Sequence, residues 1–240
     1  MADTAIFDVD GTLVDTNYQH ALAWYRSFLR FDIVLPIWRI HRSIGMGGDQ
    51  LVPSLTSDDV ENRHGDALRE AWTEEFEPMI DEVHPFDGAH DLLVEVKRRG
   101  FQVVLASSGK SEHVEHFLDL VDARGLADAW TSSDDVEASK PAPDLVQTAL
   151  ERVPGSSGVM IGDSPWDAIA AARAEVPTIA VRTRRLLTRG TAGRRRRARV
   201  RQPPRPDRRP RRHSPRAPGL TAAAASPADL RHTHAGGGHA

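Results

Sequence analysis

AIFDVDGTLVDT, residues 5–16, runs from apolar side chains into two aspartates one residue apart and then a Gly-Thr turn. The segment Ala5–Val9 is short and largely apolar, and Asp10-Gly11-Thr12 closes it, so it reads as a buried strand entering a turn. Four later segments repeat that reading: Phe101–Ala106, Ala129–Thr131, Gly158–Ile161 and Thr178–Val181. Between them the pattern is helical. Gly88–Arg99 ends at Gly100, a natural position just past a helix end, and Ser111–Val121 follows the second strand. Pro143–Arg152 begins with proline, which suits a first turn, and Pro165–Ala174 does the same. Strands separated by helices imply a doubly wound parallel α/β sheet.

One block breaks the alternation. From Asp15 to about Met79 the periodicity is helical, with Ala21, Trp24, Tyr25, Phe28 and Leu29 at three- and four-residue spacing. Ser57, followed by Asp58 and Asp59, caps another helix that runs through Trp72 and Phe76. This block is an insertion after the first strand.

Open parallel sheets bind ligands beyond the carboxyl ends of their strands. The residues there are Asp8, Asp10, Gly11 and Thr12; Ser107 and Ser108; Lys140; and Gly162, Asp163 and Ser164. Asp8 and Asp10, two apart at a strand end, can point the same way, and Asp163 joins them at the same edge. Three close carboxylates repel unless a cation neutralises them, and oxygen-only ligands suit Mg²⁺. Lys140 adds a positive charge, Ser107 a hydroxyl, and backbone N–H groups around Gly11, Thr12 and Ser108 an anion nest. Such a set suits phosphoryl transfer, which depends on positioning and charge stabilisation. Asp8 is then the nucleophile, and Asp10 the acid and base.

These residues resemble the four motifs of the haloacid dehalogenase (HAD) superfamily, in order. FDVDGTLVDT (Phe7–Thr16) resembles the first, LASSGK (Leu105–Lys110) the second, SKPAPD (Ser139–Asp144) the third and MIGDSPWDAIAA (Met160–Ala172) the fourth. The resemblance implies a Rossmann-like core of residues 1–15 and 83–182 and a C1-type helical cap of residues 16–82. It implies Mg²⁺ held by Asp8, by the backbone carbonyl of Asp10 and by Asp163, with Asp167 orienting the metal site from behind. Ser107 then binds phosphate, and Lys140 bridges nucleophile and phosphate. The activity implied is a phosphatase acting on a small phosphorylated metabolite through an aspartyl-phosphate. Asp10 speaks against the dehalogenase branch, and both the phosphoglycolate-phosphatase-like and the β-phosphoglucomutase-like branches fit. A sugar phosphomutase is therefore the alternative.

His20 matches a histidine that helps control Asp10 in mutase-like members, or else is a plain helix-start residue. Arg42 is either an anion ligand or a solvated side chain. The loop SIGMGGDQ (Ser43–Gln50) either approaches substrate or simply joins two helices, and Lys110 either assists phosphate binding or faces water. Trp24, Trp38 and Trp72 read as core of the cap.

The remaining 182–240 segment is differently built. It carries 17 arginines, no lysine and two acids, a net +15 against −18 for residues 1–181. A nucleic-acid-binding arm is one reading. The segment holds no aromatic residue for base stacking and no zinc pattern, the acidic body repels nucleic acid, and its Pro, Ala and Gly content predicts disorder over 183–240. HAD proteins of this type continue past the last strand with a stretch like RTGGFSxxELxxAGAxxVY. Codons exist for Arg184–Arg194 whose shifted frame reads GGFSREELRDA, so the tail reads as the product of a frame shift, and no nucleic-acid partner is expected. The absence of cysteine excludes disulfides and a thiolate nucleophile. With no signal-peptide pattern and no long apolar run, a cytoplasmic monomer or homodimer with no membrane association is expected.

Overall fold

The computed structural model describes residues 2–155 and 157–183. The arginine-rich segment from residue 184, read above as a disordered frame-shift product, lies outside the described residues. Five parallel strands form one sheet: β1 (Thr4–Phe7), β2 (Gln102–Ala106), β3 (Ala129–Thr131), β4 (Gly158–Gly162) and β5 (Thr178–Ala180), in the order β3-β2-β1-β4-β5. Phe7 pairs with Leu105 on one side and Ile161 on the other, so the three central strands end level. The chain winds outward from β1 to β3, then returns to the far side of β1 with β4. The switch in direction therefore falls between β1 and β4, and Asp8 and Asp163 follow the strands on its two sides.

Side-chain alternation places a core on each face of the sheet. Ala5, Phe7, Val103 and Leu105 point into one core, which also takes Leu93 from α5 (Ala89–Arg98) and Val114, Phe117 and Leu118 from α6 (Ser111–Leu120). Ile6, Val104, Ala106 and Met160 point into the other. There they meet Val146 and Ala149 of α7 (Asp144–Glu151) and Ala170 and Ala171 of α8 (Pro165–Arg173). Helices cover both faces, which is why the central strands read as nearly continuous apolar runs.

The inserted block is not one helical stretch. It consists of α1 (Asn17–Arg30), α2 (Ile37–Ser43), α3 (Gly48–Leu55) and α4 (Asp58–Phe76), continued by a 3-10 helix at Glu77–Glu82. Ser57 caps α4, its hydroxyl accepting from the Val60 N–H at 3.3 Å. Trp24 and Trp72 are buried and stack on each other at 5.6 Å, as expected of core aromatics. Trp38 corrects the expectation: it is 61% exposed. Helix α2 buries only Ile40 and Ser43, and a residue two positions before Ile40 projects from the opposite side. β1 also stops at Phe7 rather than Val9, because the Val9 carbonyl turns back to accept from the N–H groups of Thr12, Leu13 and Val14. Among the described residues no helix is long and apolar enough to cross a membrane.

Candidate active site

Asp8 follows β1 directly, and its N–H still donates to the Ile161 carbonyl at 2.9 Å. The ladder thereby fixes the direction in which its buried carboxylate leaves the sheet. Lys140 reaches it from the segment before α7, with Nζ 2.5 Å from Asp8 Oδ1, 2.9 Å from Asp167 Oδ1 and 3.0 Å from the Ala106 carbonyl. Lys140 is wholly buried. Thr12 donates its hydroxyl to Asp8 Oδ2 at 2.9 Å. The Asn17 amide donates to Asp163 Oδ2 at 3.3 Å, tying the start of α1 to the end of β4.

Asp167 is locked by helix capping. The Ser164 hydroxyl accepts from the Asp167 N–H, and Asp167 Oδ2 accepts from the Ser164 N–H at 3.0 Å and hydroxyl at 2.6 Å. This reciprocal box leaves Oδ1 directed at Lys140. Carboxylate oxygens of Asp8, Asp163 and Asp167 lie within 4.8 Å of one another.

Asp10 belongs to a different set of bonds. Its Oδ1 accepts from Thr16 at 3.0 Å and sits 2.8 Å from His20 Nε2, and its Oδ2 accepts from Ser107 at 2.8 Å. The expectation that Asp8 and Asp10 present carboxylates together therefore needs correcting. The third carboxylate beside Asp8 and Asp163 is Asp167, while Asp10 still lies close enough to add to the negative charge on Asp8. The carboxylate of Asp10 faces His20 from the insertion and Ser107 from the end of β2.

Electrostatics separate the two aspartates further. Burial pushes the Asp8 carboxyl well up, Asp167 adds to this, and Lys140 opposes it. Lys140 stays an ammonium: burial alone would lower it, but Asp167 and Asp8 raise it. Burial also pushes Asp10 up, yet hydrogen bonds and charge from His20, with Ser107 and Thr16 assisting, hold it well below the usual carboxylate range. Among the described residues Lys140 bonds Asp8 and Asp167, and the three oxygen ligands of Asp8, Asp163 and Asp167 suit a hard divalent cation.

A cavity of about 310 Å³ opens above these groups. Asp8 and Asp10 form part of its floor, and Ser108, Gly109 and Lys110 part of its wall. Ile44–Asp49 and Arg69 reach it from the insertion. Ser108 Oγ is buried there and meets no hydrogen-bond partner among the described residues. The N–H groups of Gly11 and Thr12, expected in an anion nest, instead donate to Val14 and Val9 carbonyls within the turn. Gly11 has φ +79°, and a side chain there would collide with Asn17 and Asp163.

Of the residues singled out in the insertion, His20 and the loop before α3 line the cavity, whereas Arg42 is exposed and does not. The arginine at the cavity is Arg69, held by Glu61 at 2.8 Å and Asp66 at 2.7 Å. Asp49 is a further residue that sequence reasoning missed. Both its oxygens accept from Ser139, one from the hydroxyl and the other from the N–H at 3.1 Å. Only the acidic residue within the glycine-rich loop hinted at it.

Fold and site together define a doubly wound α/β protein with a helical insertion beside a carboxylate-lined cavity. The chain belongs to the haloacid dehalogenase-like hydrolase family, whose model matches residues 5–181. It is 28% identical over 189 residues to pyrophosphatase PpaX of Bacillus mycoides, a match spanning 75% of this chain and 83% of that protein. It is 26% identical to validoxylamine A 7'-phosphate phosphatase of Streptomyces hygroscopicus, over 76% of this chain and 87% of that one. Among solved structures, a hydrolase from Pseudomonas syringae superposes with a TM-score of 0.70 at 29% identity, covering 75% and 84% of the two chains.

Proposed function

We propose that the protein is a Mg²⁺-dependent phosphatase that hydrolyses a small phosphorylated metabolite through an aspartyl-phosphate on Asp8. The observation that carries this is the pairing of Asp8, at the cavity, with buried Lys140 and Thr12 behind it, and a second, differently tuned aspartate beside it. The phosphatase names of the PpaX and validoxylamine phosphate relatives support the substrate class.

Asp8 Oδ attacks phosphorus, and the bond to the leaving oxygen breaks as a proton from Asp10 reaches that oxygen. Water, deprotonated by Asp10, then attacks phosphorus and releases inorganic phosphate and free Asp8. The bond to His20 keeps Asp10 a carboxylate, which is its base form. Loosening that bond lets the carboxyl take up the proton that the first step requires. Lys140 holds Asp8 in line and neutralises charge on the phosphoryl oxygens, to which Ser108 offers its hydroxyl; the Ser107 hydroxyl, given to Asp10 here, would join it on turning toward phosphate. Asp8, Asp163 and the Asp10 carbonyl would hold Mg²⁺, with Asp167 behind them. The ion supplies charge neutralisation for the transferred group. Residues 16–82 act as a cap over residues 1–15 and 83–182.

The His20–Asp10 contact at 2.8 Å also favours a second reading, a sugar phosphomutase. A panel of small phosphate esters assayed with Mg²⁺, and after EDTA, tests both. Release of inorganic phosphate that EDTA abolishes and Mg²⁺ restores is the expected result. Exchange of phosphate between two positions of one sugar, without release, identifies the mutase. Full activity in EDTA contradicts the metal-dependent account.

A further inference from the structure

His113 lies in the first turn of α6 and is 4% exposed, and neither of its ring nitrogens has a hydrogen-bond partner among the described residues. Phe76 packs against the ring at 5.2 Å, tilted by 55°, and Trp72 meets it edge-on at 5.8 Å, contacts that give neither nitrogen a conventional hydrogen-bond partner. A buried polar atom left unpaired is costly, so such a group calls for a partner. Two carboxylates are close by. Glu77 opens the 3-10 helix that leaves the insertion, and Glu112 precedes His113. One ligand atom from each of the three residues lies within 4.8 Å of the others.

We propose that Glu77, Glu112 and His113 form a second divalent-metal site, of the Zn²⁺ class, which ties the end of the helical insertion to α6 of the sheet layer. It shares no residue with Asp8, Asp163 and Asp167. The donor set selects the ion: one imidazole nitrogen with two carboxylates suits Zn²⁺, whereas Mg²⁺ prefers oxygen alone. Tetrahedral bonds of about 2.0–2.2 Å place ligand atoms about 3.3 Å apart. Both glutamates are exposed, so rotamer changes at their ends close the difference. Burial, with the charge of His20 adding to it, lowers the proton affinity of His113, which leaves a lone pair available at neutral pH. Lys110 and His20 act on His113 as opposing positive charges, and Glu112 and Asp10 act against them.

Equilibrium dialysis of the full chain against Zn²⁺, with excess Mg²⁺ present throughout, tests the site. The wild type is expected to retain one more Zn²⁺ than the E77Q/E112Q variant and to melt at a higher temperature when loaded. Both substituted side chains are exposed, so E77Q/E112Q keeps the metal-free melting temperature while its Zn²⁺ affinity falls by more than about tenfold. His113→Gln, which removes the imidazole and leaves both carboxylates, gives the same loss. Equal zinc stoichiometry and affinity in wild type and E77Q/E112Q would overturn the proposal.

Discussion

Asp8 and Asp10 stand two residues apart and have been given opposite electrostatic settings. Among the described residues, burial with Asp167, Asp163 and Asp10 raises the Asp8 carboxyl and Lys140 opposes them, so added positive charge favours its ionised form. Asp10 has His20, Ser107 and Thr16, and is held ionised without such help. His20→Ala removes the largest favourable contribution, and the Asp10 carboxyl then rises toward its ordinary value. A base must be deprotonated to work, so the acid limb of the kcat/KM profile should move to higher pH in that variant. An unmoved limb would mean that His20 does not tune Asp10. The same depressed value stabilises the fold fully above the unfolded aspartate value of about 3.9, and that stability is lost as pH falls through the lower folded value. Asp10→Asn removes acid and base together and should cost about 10²–10⁴ in kcat, read by steady-state assay.

At the scale of elements, the end of β1 and the turn after it set the geometry. Gly11 combines a left-handed φ with close approach to Asn17 and Asp163. Gly11→Ala should lower stability by about 1–3 kcal/mol or more and displace the Asn17–Asp163 contact. A thermal melt equal to wild type would show that the turn tolerates a side chain. The strands, the helices between them and the four strand-end clusters were legible in the sequence because buried parallel strands leave short apolar runs followed by polar residues. The role of Asp167 against Lys140 was partly legible, since a serine three residues before an aspartate signals a capping box. The settings of Arg69 and His113 were not legible, and that of Asp49 was legible only as an acid in a glycine-rich loop. Each gains its setting from contacts across helices with no fixed spacing in the chain. Trp38 misled for a related reason: aromatic periodicity does not reveal which side of a short helix lacks a neighbour.

For the whole molecule, the sharp charge step near residue 182 bears on the function and on the tail. The strand-end residues all precede it, so deleting residues 184–240 should leave substrate preference unchanged. β5 at the sheet edge leaves Ile179 57% exposed. We read residues 184–240 as the product of a frame shift that replaced a segment suited to covering that edge. Restoring the shifted frame from codon 184 should therefore raise the melting temperature. Burial contributes about 25 cal/mol per Å², so a helix's apolar face amounts to a few kcal/mol. Salt-sensitive DNA or RNA binding by the full chain, lost on deletion and without a stability gain from the restored frame, would show the arginine-rich segment to be functional.

The central claim is that Asp8 carries the phosphoryl group. Rapid acid quench of the protein during turnover, followed by peptide mass analysis, addresses it directly. The expected result is a phosphoryl mass increment on the peptide containing Asp8, enriched in Asp10→Asn and missing from Asp8→Asn, which should be inactive. An Asp8→Asn variant that turns over substrate at the wild-type rate would contradict the account.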